Sequence, residues 1–328
     1  MFPQLNFNPI PPLLSSFSEV LRFFTRRDLQ GDDPGSIETL LQLPDAQKIL
    51  NRQQEDGAWK YPGGGRQHLC STEDYNQLET YRNLGVLIEK FGLDCRHPAI
   101  QRAAEYLFSC QTEEGDFRGI YGMQFMPNYS AAIMELLIKA GYSTDVRTEK
   151  GFQWLLSIRQ QDGGWVIPLR TVGRKFDLET MQGELIQPDK TKPFSHLVTG
   201  IVLRAFATHP EYRKSDEART AGKLLTSRFF APDKYPDRRE ISYWTAFSFP
   251  FWFTDLLSAL DSLSSMEFTR DDPQIQRVLE WFIARQREDG HWELSMLRGK
   301  DKDTPLWISL AICRVFKKGG VFDQYYER

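Results

Sequence analysis

Arg285–Trp292 reads RQREDGHW, and the chain carries this pattern of glutamine, glycine and an aromatic residue four times. Gln53–Trp59 reads QQEDGAW and Gln111–Phe117 reads QTEEGDF, with the same spacing from the glutamine to the glycine and the ring. Gln160–Trp165 reads QQDGGW and is one residue shorter. Because a repeated unit buries its apolar face against neighbouring copies, the four copies predict an architecture of stacked repeats.

A predicted amphipathic helix precedes each copy of the motif. Before the last copy, Asp272 is a typical N-cap, Pro273 suits the first helical turn, and Ile275, Val278 and Leu279 share one apolar face. Between these helices lie segments that are apolar on more of their circumference, at about 75–90, 128–140, 195–207, 246–263 and 304–316. A helix with one apolar stripe lies at a surface, and a helix that is apolar nearly all round is buried. The sequence therefore predicts alternating outer and inner helices.

The spacing of the motif glutamines predicts one degenerate copy. The interval from Gln160 to Gln286 is about twice the earlier ones, and Leu224–Phe230 fits the missing copy, with Arg228 in place of the glutamine. A helix at residues 13–24 would add a sixth hairpin. We therefore predict an all-α fold, an α/α toroid of five to six helical hairpins closed into a ring. In this prediction residues 1–35 are an extended segment and an amphipathic helix packed on the domain, and residues 36–328 are the toroid.

The composition disfavours several classes of partner. The 41 Lys and Arg residues nearly balance the 44 Asp and Glu residues, so the net charge of -3 provides no field for nucleic acid or an anionic membrane. The four cysteines contain no Cys-x-x-Cys pair, which argues against a zinc knuckle or a disulfide framework. We expect no transmembrane segment and no secretory leader, and a soluble, cytoplasmic protein. Peripheral membrane contact through the N-terminal helix stays open.

The repeated motif resembles the QW motif of squalene-hopene and oxidosqualene cyclases, and more loosely the repeats of protein prenyltransferase β-subunits. The resemblance covers about residues 40–317. It implies that the motif glutamines and aromatic residues tie an outer helix to the next repeat. It also implies a central, aromatic-lined cavity for an isoprenoid substrate, with the reacting groups at the N-terminal ends of the inner helices.

Candidate acids lie at the first of these helix ends. Class II cyclases carry an Asp-x-Asp-Asp-Thr sequence at an inner-helix start, whereas Ser71–Tyr75 reads STEDY and keeps only the final acid and its neighbour. The resemblance makes Asp74 the candidate proton donor, with Glu73 beside it and Tyr75 as a substrate contact. The same residues fit a helix cap with an acidic first turn, so a structural role stays open.

The third and fifth inner-helix starts offer weaker candidates. Prenyltransferases bind zinc through an aspartate, a cysteine and a histidine, and only His196 is placed to take part. Zinc needs three or four convergent ligands, so we predict no metal and no cofactor, and we interpret His196 as a polar contact to substrate. Asp301–Trp307 reads DKDTPLW, which lacks the third aspartate and fits a helix start at Thr304 and Pro305. Trp307 is a candidate lining residue.

The fourth start, Tyr243–Asp255, contains seven aromatic residues and Pro250, which must interrupt or kink a helix. Aromatic faces can solvate an apolar chain or a carbocation, and large rings can equally fill a core. Both interpretations stay open for the candidate substrate-binding residues of this segment, which are Tyr243, Trp244, Phe251, Trp252 and Asp255.

Three functions fit these observations. The first is a squalene or terpenoid cyclase-like, or prenyltransferase-like, protein that binds an isoprenoid or a similar apolar substrate. The second is a non-catalytic toroid that binds a lipid-like ligand or a partner protein. The third and weakest is a carbohydrate-active α/α toroid, which would need two carboxylates and stacking tryptophans in a polar cavity.

Overall fold

The computed structural model describes residues 5–63, 71–297 and 302–318, with only the backbone of Thr72 described. Cys70 and Asp301 lie outside the described residues. Helices and strands have the following bounds: α1 Ile10–Leu14, α2 Glu19–Thr25, α3 Pro44–Leu50, α4 Thr72–Glu89, α5 Pro98–Ser109, α6 Pro127–Leu137, α7 Val146–Ser157, α8 Pro168–Thr171, α9 Leu178–Gln182, α10 His196–Thr208, α11 Asp216–Thr226, β1 Ala246–Phe247, α12 Leu256–Ser265, α13 Pro273–Ile283, β2 Ser295–Met296 and α14 Thr304–Lys318.

The chain forms two compact units. One unit comprises residues 37–221, and the other comprises residues 1–36 together with residues 222–328. The second division falls inside α11, and the predicted division into residues 1–35 and 36–328 stays a prediction. In the first unit the inner helices α4, α6 and α10 pack in sequence, and in the second unit α12, α14 and α2 do so.

The predicted all-α class is confirmed, and inner and outer helices alternate along the chain. Nearly every residue of α6 and α10 is buried, whereas α5 and α13 bury a single stripe. Pairing each outer helix with the next inner helix gives six pairs among the described residues: α1 with α2, α3 with α4, α5 with α6, α7 with α10, α11 with α12, and α13 with α14. Closure of the pairs into one ring stays a prediction.

Two helices differ from the sequence-based expectation. The single helix expected at residues 13–24 is divided into α1 and α2, because Ser18 adopts an extended conformation and its side chain caps α2 by accepting from the amide of Leu21. The fourth inner helix was expected at 246–263 and begins at Leu256. Upstream of it, β1 pairs in parallel with β2, Phe249–Pro250 is a cis peptide bond, and Asp255 is an extended N-cap.

The four motif copies form the same turn. In each one the amide of the glycine donates to a carbonyl three residues earlier, as Gly57 does to Gln54 and Gly290 does to Arg287. All four glycines have a positive φ, between 85° at Gly290 and 109° at Gly115. A residue with a Cβ is strained in that backbone region, so the turn requires glycine.

The glutamine and the glycine of the first two copies contact the next outer helix. The Gln53 amide donates to the carbonyl of Ala99 in α5 at 2.8 Å, and the Gln111 amide donates to the carbonyl of Arg147 in α7 at 2.9 Å. A Cβ on Gly57 would lie 2.2 Å from the carbonyl oxygen of Arg102 in α5, so the absent side chain permits the close approach. The turn therefore joins one repeat to the next.

The N-terminal segment takes the place of a next repeat for the last copy. The Gln286 side chain donates to the carbonyl of Phe7 at 2.8 Å and accepts from the amide of Phe7 at 3.0 Å. A Cβ on Gly290 would lie 2.3 Å from the carbonyl oxygen of Asn8. Farther along, Asp28 accepts hydrogen bonds from Arg314 in α14. Residues 5–30 thus complete the last repeat.

The aromatic residue of the motif binds back to its own outer helix and forward to an inner helix. The indole of Trp165 donates to the carbonyl of Leu155 in α7 at 2.7 Å, and its backbone amide donates to the hydroxyl of Thr199 in α10 at 2.9 Å. Trp59 makes the same pair of bonds with Ile49 and Thr80. The inner helices α4 and α10 are therefore positioned by a buried hydroxyl, a feature that was not predicted from the sequence.

A buried ion network joins the inner helices α6 and α10. Arg204 donates to Glu135 at 2.8 Å, Lys139 donates to the other oxygen of Glu135 at 2.8 Å, and both Arg204 and Glu135 are under 5% exposed. Burial raises the pKa of the Glu135 carboxyl, but the charges of Arg204 and Lys139 outweigh it and hold that pKa below its usual range. The carboxylate is therefore ionised in the folded chain.

Replacing Gln160 by Glu should lower the free energy of unfolding by about 1–3 kcal/mol, because a carboxylate oxygen would face the carbonyls of Asp189 and Lys192 that now accept from the amide. Chemical denaturation measures the change. Gln161→Glu is the matched control, since that side chain is exposed in the same turn and should change stability little. Equal effects of the two substitutions would contradict a structural role for the motif glutamine.

Replacing Glu135 by Gln should lower the free energy of unfolding by about 3–5 kcal/mol, because the buried Arg204 loses its carboxylate and Lys139 keeps only that of Glu89. Glu105→Gln, which breaks an exposed pair with Arg147, should cost at most about 1 kcal/mol. Because folding lowers the Glu135 pKa, its contribution is present above the unfolded-state value near 4.5 and is lost as the pH falls through the folded value. Denaturant titrations between pH 7 and pH 3 should show the variant losing less stability than the parent.

Candidate functional site

The unit of residues 37–221 gathers three tyrosines, here called the tyrosine cluster: Tyr81 of α4, Tyr121, and Tyr129 of α6. The ring centroids of Tyr121 and Tyr129 are 5.4 Å apart, and those of Tyr81 and Tyr129 are 6.5 Å apart. Tyr129 lies in the first turn of α6, which begins at Pro127. The sequence analysis missed this cluster, although Tyr81 and Tyr129 both fall within predicted inner helices.

Burial keeps Tyr81 and Tyr129 neutral. It raises the pKa of Tyr81 to about 12, and it raises the pKa of Tyr129 well above the usual value, with smaller contributions from neighbours that include Cys110 and Asp74. Burial likewise raises the pKa of the Cys110 thiol. Protonated phenols can donate hydrogen bonds, and their faces attract cationic or polarised apolar groups.

Asp74, the candidate proton donor, forms a capping box with Ser71. The amide and the hydroxyl of Ser71 donate to the Asp74 carboxylate at 3.0 and 2.9 Å, and the amide of Asp74 donates back to the Ser71 hydroxyl at 3.2 Å. Asp74 is half-buried and lies near enough to Tyr129 to contribute to its raised pKa. The carboxylate thus serves the start of α4 and lies beside the tyrosine cluster.

The other candidates of this unit surround the inner-helix starts. Glu73 is exposed, and its carbonyl accepts from the hydroxyl of Tyr106 at 3.4 Å. Tyr75 is half-buried, with its ring centroid 5.0 Å from that of Tyr61. His196 is the first residue of α10 and is 6% exposed. The described residues contain no group of three or more His, Cys, Asp or Glu side chains that could hold a metal ion.

In the other unit, Trp244 lies in the degenerate repeat. Its indole donates to the carbonyl of Ala231 at 2.9 Å, and its ring meets that of Phe229 edge to face at 5.4 Å. Trp244 is 1% exposed, so it takes the structural place that the motif tryptophan has in the other copies. Nearby, Arg238 lies 5.2 Å from the ring of the half-buried Tyr243.

Asp255 also has a structural place. It is 2% exposed, accepts from the amide of Ser258 at 2.8 Å, and donates its own amide to the Ser258 hydroxyl at 3.0 Å. This reciprocal pair caps α12. The half-buried Trp252 lies 6.3 Å from Phe253, and its amide donates to the hydroxyl of Ser248.

Two aromatic candidates come together in this unit. The ring of Trp307, in α14, stacks on Phe249 at 5.2 Å with an interplanar angle of 6°, and Phe251 meets Phe249 edge to face at 5.7 Å. Phe24 of α2 lies 6.0 Å from Trp307. Trp307 is 2% exposed, whereas Phe251 is half-buried. The stack therefore packs α2 and α14 together.

Within residues 5–63, 71–297 and 302–318, no helix is both long enough and apolar enough to cross a bilayer.

Comparison with known proteins places residues 72–172, which contain α4 to α7 and the tyrosine cluster, within a family model described as the squalene-hopene cyclase C-terminal domain. A squalene–hopene cyclase from Zymomonas mobilis is 27% identical over 79 residues. Those residues are 24% of this chain and only 12% of that enzyme.

Several solved structures resemble the chain at low identity. The type II terpene cyclase MstE from Scytonema is 9% identical, with coverage of 84% of this chain and 96% of that one and a TM-score of 0.34. A polysaccharide lyase is 11% identical, with 89% coverage of both chains and a TM-score of 0.48. A protein from Actinoplanes is 15% identical, with coverage of 87% of this chain and 88% of that one and a TM-score of 0.41. TM-scores below 0.5 do not by themselves establish a shared fold. The family-model match contains the motif copies at 111–117 and 160–165. The two sequence matches confirm the predicted similarity to the terpenoid cyclase superfamily.

Proposed function

We propose that the chain is a terpenoid cyclase-like protein that binds an isoprenoid or a similar apolar molecule against the tyrosine cluster. The observation that carries this proposal is the meeting of Tyr81, Tyr121 and Tyr129 beside Asp74, within the segment that matches the cyclase family model. Tyrosine faces offer an apolar surface with a negative quadrupole, which suits both a polyene and a carbocation derived from it.

Under this proposal Asp74 donates the proton that starts a cyclisation, and Glu73 lies next to it in sequence. A carboxylic acid can protonate an alkene only if it is protonated when substrate is bound, and a buried apolar ligand would favour that form by excluding water. The motif of class II cyclases is incomplete here, because Glu73 and Asp74 are the only acids in Ser71–Tyr75.

A second candidate function is binding of the same class of ligand without catalysis. The capping box favours it, because the Asp74 carboxylate already accepts two hydrogen bonds from Ser71 at the start of α4. A carboxylate that only caps a helix does not have to become protonated. The two functions share the apolar ligand and differ only in the role of Asp74.

The role of Asp74 is tested by Asp74→Asn, since asparagine can still accept from Ser71 but cannot donate a carboxyl proton. We expect wild type incubated with squalene or a geranylgeranyl compound to form cyclised product. We expect the variant to lose at least about a hundredfold in rate while keeping its melting temperature and its content of extractable isoprenoid. Mass spectrometry of organic extracts measures both product and retained ligand.

Asp177→Asn is the matched control, because Asp177 caps α9 in the same unit by accepting from the amide of Thr180. It should leave product formation unchanged. Equal turnover in the Asp74 variant and the control would assign Asp74 to the cap alone. Retained ligand without turnover in wild type would favour the binding function, and the absence of any bound or extractable apolar ligand would contradict both.

A further inference from the structure

Two buried polar atoms near the tyrosine cluster lack hydrogen-bond partners. Gln77 lies one turn after Asp74 in α4 and is 3% exposed, and no described group bonds its Oε1. The hydroxyl of Tyr129, which is 6% exposed, is likewise unpaired within the described part of the chain. A buried polar atom without a partner costs free energy, so two of them in one place call for a ligand or water that completes them.

The two side chains converge on Gly119. A Cβ on this residue would lie 2.0 Å from Oε1 of Gln77 and 3.1 Å from Cε1 of Tyr129, so Oε1 is within about 5 Å of the tyrosine ring. Gly119 has a φ of +51°, which disfavours any side chain there. The glycine thus lets the amide oxygen and the phenol ring approach the same point of the backbone.

The donors and acceptors at this point select a hydroxyl group. Oε1 of Gln77 can only accept, whereas a phenol can donate or accept. One ligand hydroxyl can donate to Oε1 and accept from Tyr129, completing both atoms. A hydrocarbon would leave both incomplete, and an anion such as a diphosphate would be repelled by Oε1 and by the nearby Asp74. Burial keeps the Tyr129 phenol protonated, since it raises its pKa well above the usual value.

We propose that Gln77 and Tyr129 bind the hydroxyl group of an isoprenoid alcohol or phenol, whose apolar chain lies against the tyrosine cluster. This inference rests on the proposed function and narrows its ligand class to hydroxyl-bearing isoprenoids. It disfavours a prenyl diphosphate at this position, because no described cation donates a hydrogen bond to either polar atom.

The test compares three probes in the same detergent: geranylgeraniol, its methyl ether and squalene. Quenching of intrinsic fluorescence measures their dissociation constants. We expect the alcohol to bind about fivefold to tenfold more tightly than the ether, which cannot donate to Gln77. Tyr129→Phe and Gln77→Met should each weaken binding of the alcohol by a similar factor and so abolish its preference over the ether.

The variants are expected to fold, because Tyr129→Phe removes an unpaired hydroxyl and should keep or raise the melting temperature. Gln77→Met also removes a hydrogen bond to the Cys110 thiol, so its melting temperature is expected to fall slightly. Tyr142→Phe, just beyond the other end of α6, is the matched control and should not change the preference for the alcohol.

The outcomes separate this inference from the proposed function. If the alcohol, the ether and squalene bind equally, an ordered water alone completes the two atoms, and the hydroxyl assignment is wrong while the apolar ligand stands. Retention of the preference for the alcohol in both variants would also overturn the assignment. If none of the three probes binds wild type, the proposed function fails, and this inference fails with it.

Discussion

The structure depends on one repeated interaction, the contact between a glutamine–glycine turn and the outer helix that follows it. The amides of Gln53 and Gln111 bond a carbonyl at the start of that helix, whereas those of Gln160 and Gln286 bond carbonyls of neighbouring loop segments. The glycine, at positive φ, permits a close approach where a Cβ would collide. An apolar side chain could not replace the glutamine, because the amide donates hydrogen bonds to backbone carbonyls that would otherwise lack a donor. The same turn therefore recurs at every junction that the motif marks.

This turn positions the inner helices and thereby the candidate site. The aromatic residues of the first three copies bind hydroxyls of the next inner helices, which are Thr80 in α4, Ser130 in α6 and Thr199 in α10. These bonds hold α4 and α6, which carry Asp74, Tyr81 and Tyr129. The connection between α5 and α6 supplies Gly119 and Tyr121.

The repeat itself could be predicted because glutamine, glycine and tryptophan are each required by the turn, and their spacing is visible in the sequence. The inner helices could be located because α6 and α10 are apolar nearly all round. The start of α12 could not be located from the sequence, because the helix begins at the cap formed by Asp255 and not within the apolar segment that precedes it. The convergence of Gln77 and Tyr129 at Gly119 could not be predicted either, since the three residues meet only when α4 and α6 pack together.

The central claim is that one turn geometry holds every junction, including the last, where the N-terminal segment replaces a next helix. Hydrogen exchange of the native chain measures how well the turn protects the amides of Gly57, Gly115, Gly163 and Gly290, each of which donates a hydrogen bond within its turn. The account predicts that all four exchange at least about a hundredfold more slowly than an unstructured chain. Exchange of Gly290 at the unstructured rate, with the other three protected, would contradict it.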